Sequence, residues 1–188
     1  MQPEKVQVKI FSQGTPDVPG YVPVFQRWIR EHVLDELLID VVDYSHVVDG
    51  PEVTLIGHES DYVLDRAEGK LGLLYASKRA SDPKNGAFLG AIKRALRAAI
   101  LLEKESGPTP PLAFGSDKIV VRIADRLNAP NSDTTLEKVA PSLRESLSQV
   151  YGATPFTLAR IGSPSDLFGV EISAPGAAPL GELLARLA

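Results

Sequence analysis

Cysteine is absent from the 188-residue chain. Its absence excludes disulfides, thiolate nucleophiles and cysteine-built zinc or iron–sulfur centres, and it fits a reducing, cytoplasmic setting. Long apolar runs are missing too. The longest, Ala98 to Leu102, falls far short of the ~20 residues that span a bilayer, so no membrane partner is expected. Met1 to Lys5 leads into an alternating segment and not into the apolar core of a signal peptide. A basic excess is lacking as well. The formal net charge of −4 argues against a dedicated nucleic-acid coat protein. No glycine-rich phosphate loop, nucleophile elbow or dinucleotide fingerprint occurs, so no cofactor is expected.

What is present is ordinary globular material, 44% hydrophobic and 23% charged, with a chain long enough to bury a real core. Its charge is unevenly spread. Acids crowd the stretch from Glu31 to Glu68, where only Arg66 opposes them, and His32, His46 and His58 lie in the same stretch. The next segment reverses sign with Lys70, Lys78, Arg79, Lys84, Lys93, Arg94, Arg97 and Lys104. Segregated charge of this kind produces a directed field.

Periodicity assigns the elements. Val6, Val8 and Ile10 alternate with Gln7 and Lys9 in a half-buried strand. Pro23 opens a helix whose buried side carries Phe25, Trp28, Ile29 and Val33, with His32 on the same arc. Leu37–Val48 and Val53–Glu59 read as strands around the turn Asp49-Gly50-Pro51, and Tyr62–Asp65 and Leu71–Ser77 as a second hairpin. Residues 85–104 form the strongest helix, with Phe88, Ile92, Ala95, Leu96, Ala99 and Leu102 on one arc and the cations opposite. A Pro- and Gly-rich stretch follows. Ile119, Val121 and Ile123 mark another strand. Leu136, Val139, Leu143, Leu147 and Val150 mark a helix that Pro141 is expected to kink or split. Phe156–Ile161 and Leu167–Ser173 form a last hairpin, and Leu180, Leu183, Leu184 and Leu187 a short amphipathic helix.

The pattern implies an α+β fold, an antiparallel sheet with helices packed on one face. The order strand–helix–hairpin occurs twice, as in a pseudo-duplicated β-α-β-β unit. Residues 1–105 form one α+β unit, 106–118 a linker and 119–188 a smaller unit, the two sharing one globule.

Carboxylates and imidazoles are the usual ligands of a cysteine-free metal site. If the turn pairs Val48 with Glu52, His46 and His58 stand ~13 Å apart along the ladder, too far for one ion, so no metal site is expected. A smaller cluster of Asp40, Tyr44 and His58 remains, with Glu59 on the other face. Asp43 shares a face with apolar neighbours, which demands either an edge position or a partner. His58 to Tyr62 lacks the second histidine of a zincin helix, and Glu68-Gly69-Lys70 is too short a pattern to define a nuclease. Trp28 is read as core.

Three functions follow. The first is a non-catalytic binding or assembly domain that uses the acidic sheet face and the basic helix residues Lys93, Arg94, Arg97 and Lys104 on a protein partner or a second copy as a homodimer. The second is a small hydrolase or lyase with acid–base or metal-assisted chemistry at His58, Asp40, Asp43, Tyr44 and Glu59. The third is a binder of phosphate ligands through the basic helix. No aromatics interleave with those cations, so base stacking is unsupported.

Overall fold

The computed structural model describes residues 3–14, 16–47, 51–79, 86–106 and 108–188. Twelve main elements follow in order: β1 (Val6–Ser12), α1 (Val22–Glu31), β2 (Leu38–Asp43), β3 (Val53–Gly57), β4 (Ser60–Asp65), β5 (Gly72–Ser77), α2 (Ala87–Glu103), β6 (Phe114–Ile123), α3 (Asp133–Tyr151), β7 (Thr157–Ile161), β8 (Phe168–Ser173) and α4 (Leu180–Ala185). The strands form one antiparallel sheet in the order β2-β3-β4-β5-β1-β6-β8-β7. The fold is therefore α+β, as the alternation and helical periodicities imply.

Side chains alternate across each strand, so the register divides the sheet into two faces. One row crosses all eight strands as Asp43, Val53, Leu64, Leu73, Ile10, Ile119, Ile172 and Leu158. The helices cover this face. Helix α2 lies on β1 and β5, α1 on β2 and α4 on β6. The opposite face carries the row Val42, Thr54, Val63, Leu74, Lys9, Val120, Glu171 and Ala159.

Several local expectations change. The 106–118 stretch is only partly a linker, because β6 begins at Phe114 and both Leu112 and Phe114 are buried. The two units meet where β1 pairs with β6, and their strands belong to one sheet. Pro141 does not split its helix: α3 is continuous from Asp133 to Tyr151. Burial of Val139, Leu143, Leu147 and Val150 on one side holds the turn together despite the missing N–H. His32 is not on the apolar arc. It closes α1 with φ 50° and ψ 49°, in the left-handed region, and is exposed. Trp28 is core, edge-on to Phe25, and its indole N–H donates to Glu105 at 2.6 Å. The turn residues Val48, Asp49 and Gly50, and Lys84 of the basic stretch, lie outside the described residues.

Candidate functional site

Of the five residues nominated for acid–base chemistry, the register places Asp43 and Tyr44 at one end of the β2–β3 hairpin and His58 and Glu59 at the other. Strand β2 pairs with β3 through Asp40–Ile56, Val42–Thr54 and Asp43–Val53, four residues away from the pairing assumed from the turn. His58 lies beyond the far end of β3, its N–H donating to Leu37 at 2.8 Å, whereas Tyr44 pairs with Glu52 at the near end. His58 and Asp43 thus stand at opposite ends of one hairpin. Asp43 sits in the helix-side row but at the edge strand, and it is exposed. The Ser45 hydroxyl and N–H hold its carboxyl below the usual carboxylate range. Among the described residues, no three histidine, aspartate or glutamate side chains gather as a metal site.

The acidic and basic stretches meet within the chain. Arg97 on α2 pairs with Asp35, Arg94 with Glu59 at 2.8 Å, and Lys78 with Asp61 at 2.7 Å. Lys93 donates to the Leu187 carbonyl at 2.6 Å, and Lys104 stands exposed at the end of α2. The two charged stretches are therefore not separate exterior fields. Helix α2 packs on β1 and β5, its cations reach acids in the loops beside them, Asp35 and Glu59, and attraction at contact distance joins them.

Lys93, Arg94 and Arg97 line one pocket of about 490 Å³ with Asp35, Glu36 and Tyr62. Glu36 went unremarked among the other acids of its stretch. Its side chain is only 2% exposed. It accepts from the backbone N–H of Glu59 at 2.9 Å and of Ser60 at 3.1 Å, from the Ser60 hydroxyl, and from Tyr62 at 2.8 Å. Arg94 stands 4.0 Å away. A side chain at Gly57 would collide with this carboxylate, so the glycine leaves the space it fills. Burial, together with the charge of Glu36, pushes the Tyr62 hydroxyl well above the ordinary tyrosine range.

The larger concavity is on the helix-free face, a groove of about 920 Å³ that no α-helix lines. It runs along β1 and β6 from Gln13 and Gly115 to Arg126 and Leu167. Phe11, Leu74, Val120, Ile161 and Leu167 supply its apolar lining, and Lys70, Asp117, Lys118, Arg126 and Asp166 its charge. One wall is the β4–β5 hairpin tip, which Lys9 and Arg122 hold down. Lys9 is completely buried. Its ammonium pairs with Asp65, lies 3.0 Å from Glu68 and donates to the Ala67 carbonyl at 2.6 Å. Arg122 reaches the other oxygen of Glu68, whose backbone takes φ 63°. Both arms cross glycines. Lys9 passes over Gly72, and the Arg122 stem lies against Gly169. The sequence signals for this wall are a lysine inside an apolar alternating strand and a glycine in the first two positions of β5 and of β8.

No family model matches the sequence, and no curated protein matches it. Among the described residues no helix is long and apolar enough to cross a membrane.

Proposed function

We propose that the chain is a non-catalytic binding domain that recognises a polypeptide partner with the helix-free face of its sheet. One observation carries this reading: an eight-stranded sheet leaves a 920 Å³ groove in water, floored by apolar side chains and walled by charged ones. Concave surface of this mixed character is what binding sites have in common. From Gln7 to Gln13 the groove follows β1 for about 20 Å at ~3.3 Å per residue, enough for about six residues of extended chain. Its walls carry both signs of charge, so apolar anchors contribute affinity and the charges set orientation.

The test is selection of peptides from a random displayed library on the intact protein, followed by measurement on the double variant Leu74→Glu/Ile161→Glu. The expected outcome is a set of binders that weaken at least tenfold on the variant while its far-UV circular dichroism stays native. Failure to recover any groove-dependent binder overturns the reading.

A second reading rests on the other pocket. Three of the four cations nominated on α2 converge there; of their carboxylate partners Asp35 is largely exposed and Glu59 about half exposed. Such surface pairs contribute only ~0–1 kcal/mol each, so a multivalent anion can exchange with them. Pyrophosphate should then raise the melting temperature at constant ionic strength, and Arg97→Ala should abolish the rise. An equal response to sulfate-free chloride controls would remove this reading.

A further inference from the structure

We infer that β2 is an acceptor edge for an extended basic segment of another protein, which adds to the sheet as a ninth strand. This surface is distinct from the groove. Strand β2 is an end strand of the sheet, so one side of its backbone has no neighbouring strand. Register and hydrogen bonding identify which groups face outward. Tyr44 donates to Glu52, and Val42 pairs with Thr54. In an antiparallel ladder the alternate residues then turn their N–H and C=O away from β3, here Val41 and Asp43. Consistent with this, the Val41 N–H is taken up at 2.8 Å by the carboxylate of its own neighbour, Asp40.

The side chains around this edge are apolar and acidic. Leu37 is 61% exposed and Ile39 55% exposed. Tyr44 and Val47 are exposed beside them, so among the described residues every large exposed hydrophobic except Leu127 lies between positions 37 and 47. Asp40 and Asp43 are both exposed, and neither takes part in the ion pairs found among the described residues. Open strand edges are templates for another strand, and proteins often blunt them with charge or a bulge. Here the register shifts between Leu38 and Asp40, and the charges are of one sign. The combination excludes a partner of the same sign and admits one with lysine or arginine. A second copy paired through β2 would set four carboxylates along one short ladder with no cation to offset them, which disfavours self-pairing. A basic strand instead replaces Asp40 as the acceptor for the Val41 N–H and leaves the freed carboxylate to meet its cations. Main-chain bonds then supply affinity, and Leu37 and Ile39 meet alternate apolar side chains.

The probe is a fluorescein-labelled peptide of four Lys-Val repeats, compared with a Glu-Val repeat of equal length. Polarisation should show at least tenfold tighter binding of the lysine peptide, and hydrogen exchange should slow at the Val41 and Asp43 amides. Val41→Pro removes an outward N–H, which an edge strand tolerates, and should cost at least tenfold in affinity. Asp40→Lys/Asp43→Lys should reverse the peptide preference, a result independent of how well the proline variant folds. Binding without slowed exchange at Val41 and Asp43, or equal binding of both peptides, overturns the inference. Protection at those amides that grows with protein concentration in the absence of peptide also overturns it, by naming a second copy as the occupant. The groove reading stands or falls separately, on its Leu74 and Ile161 variant.

Discussion

Lys9 illustrates how one residue can organise a surface. Its ammonium lies between Asp65 and Glu68, buried, on the face away from the helices. Removing one member of a buried pair leaves the other charge uncompensated, so Lys9→Met should cost about 3–5 kcal/mol in urea unfolding. Combining it with Asp65→Asn should recover part of that loss. A full-cost result for the double variant would mean that packing of the lysine stem, and not charge, dominates. Gly72 is tied to the same residue. A Cβ there would stand 2.6 Å from the Ile10 carbonyl oxygen and 2.8 Å from the Lys9 Cε. Since the carbonyl belongs to the central strand and cannot yield, Gly72→Ala should destabilise by about 1–3 kcal/mol. Gly181 in α4 meets nothing within 4 Å, and Gly181→Ala should stabilise by about 0.5–1 kcal/mol. Alternation placed Lys9 on the polar side of a strand. Its burial was not legible, because the groups that cover it come from a hairpin tip some 56 to 59 positions along the chain.

At the scale of elements, periodicity carried most of the reading. The apolar arc of α2 is buried as spaced, and the second and last hairpins and the C-terminal helix form where alternation and turn residues put them. Local rules failed where packing overrode them. Pro141 sits in the interior of α3 and on its exposed side. It forfeits a backbone hydrogen bond that the buried stripe of the helix offsets. Pro141→Ala should therefore raise stability by about 1–3 kcal/mol, read from denaturant midpoints. A fall in stability would show that the proline acts through the unfolded chain instead. The pairing of β2 with β3 differs by four residues from the one a tight turn at Asp49-Gly50-Pro51 implies. The observed register follows from burying Val53 and Leu55 while Leu38 and Val41 face the same core.

For the whole molecule, the buried tyrosines set an alkaline limit. Burial pushes the hydroxyls of Tyr21, Tyr62 and Tyr151 upward, whereas in the unfolded chain tyrosine releases its proton near pH 10. Above that pH the unfolded state holds fewer protons, so stability is intact below about pH 10 and falls as pH rises toward the folded values. Urea midpoints between pH 8 and 11.5 should show this decline, and Tyr62→Phe should flatten it. Ionisation of these tyrosines, followed by absorbance at 295 nm, should coincide with unfolding. Ionisation in a chain with native circular dichroism would contradict their burial. The same scale explains the charge pattern. Helix α2 returns over the sheet whose loops and strands bear the acids, so most of the segregated charge is spent inside one subunit, and Asp40 and Asp43 at the sheet edge are exceptions.

The sequence by itself determined the inventory: which segments are strands or helices, which side of each is apolar, and that the whole is α+β. Those properties depend on neighbours two to four positions apart, and alternation and helical spacing report them directly. Only the tertiary structure decided that β1 lies between β5 and β6, that Lys9 is enclosed, that Glu36 is held by Ser60 and Tyr62, and that one sheet face stays open. Each of these depends on strand order and on contacts between distant segments, where cooperative burial of the whole core, and no local spacing, selects the arrangement.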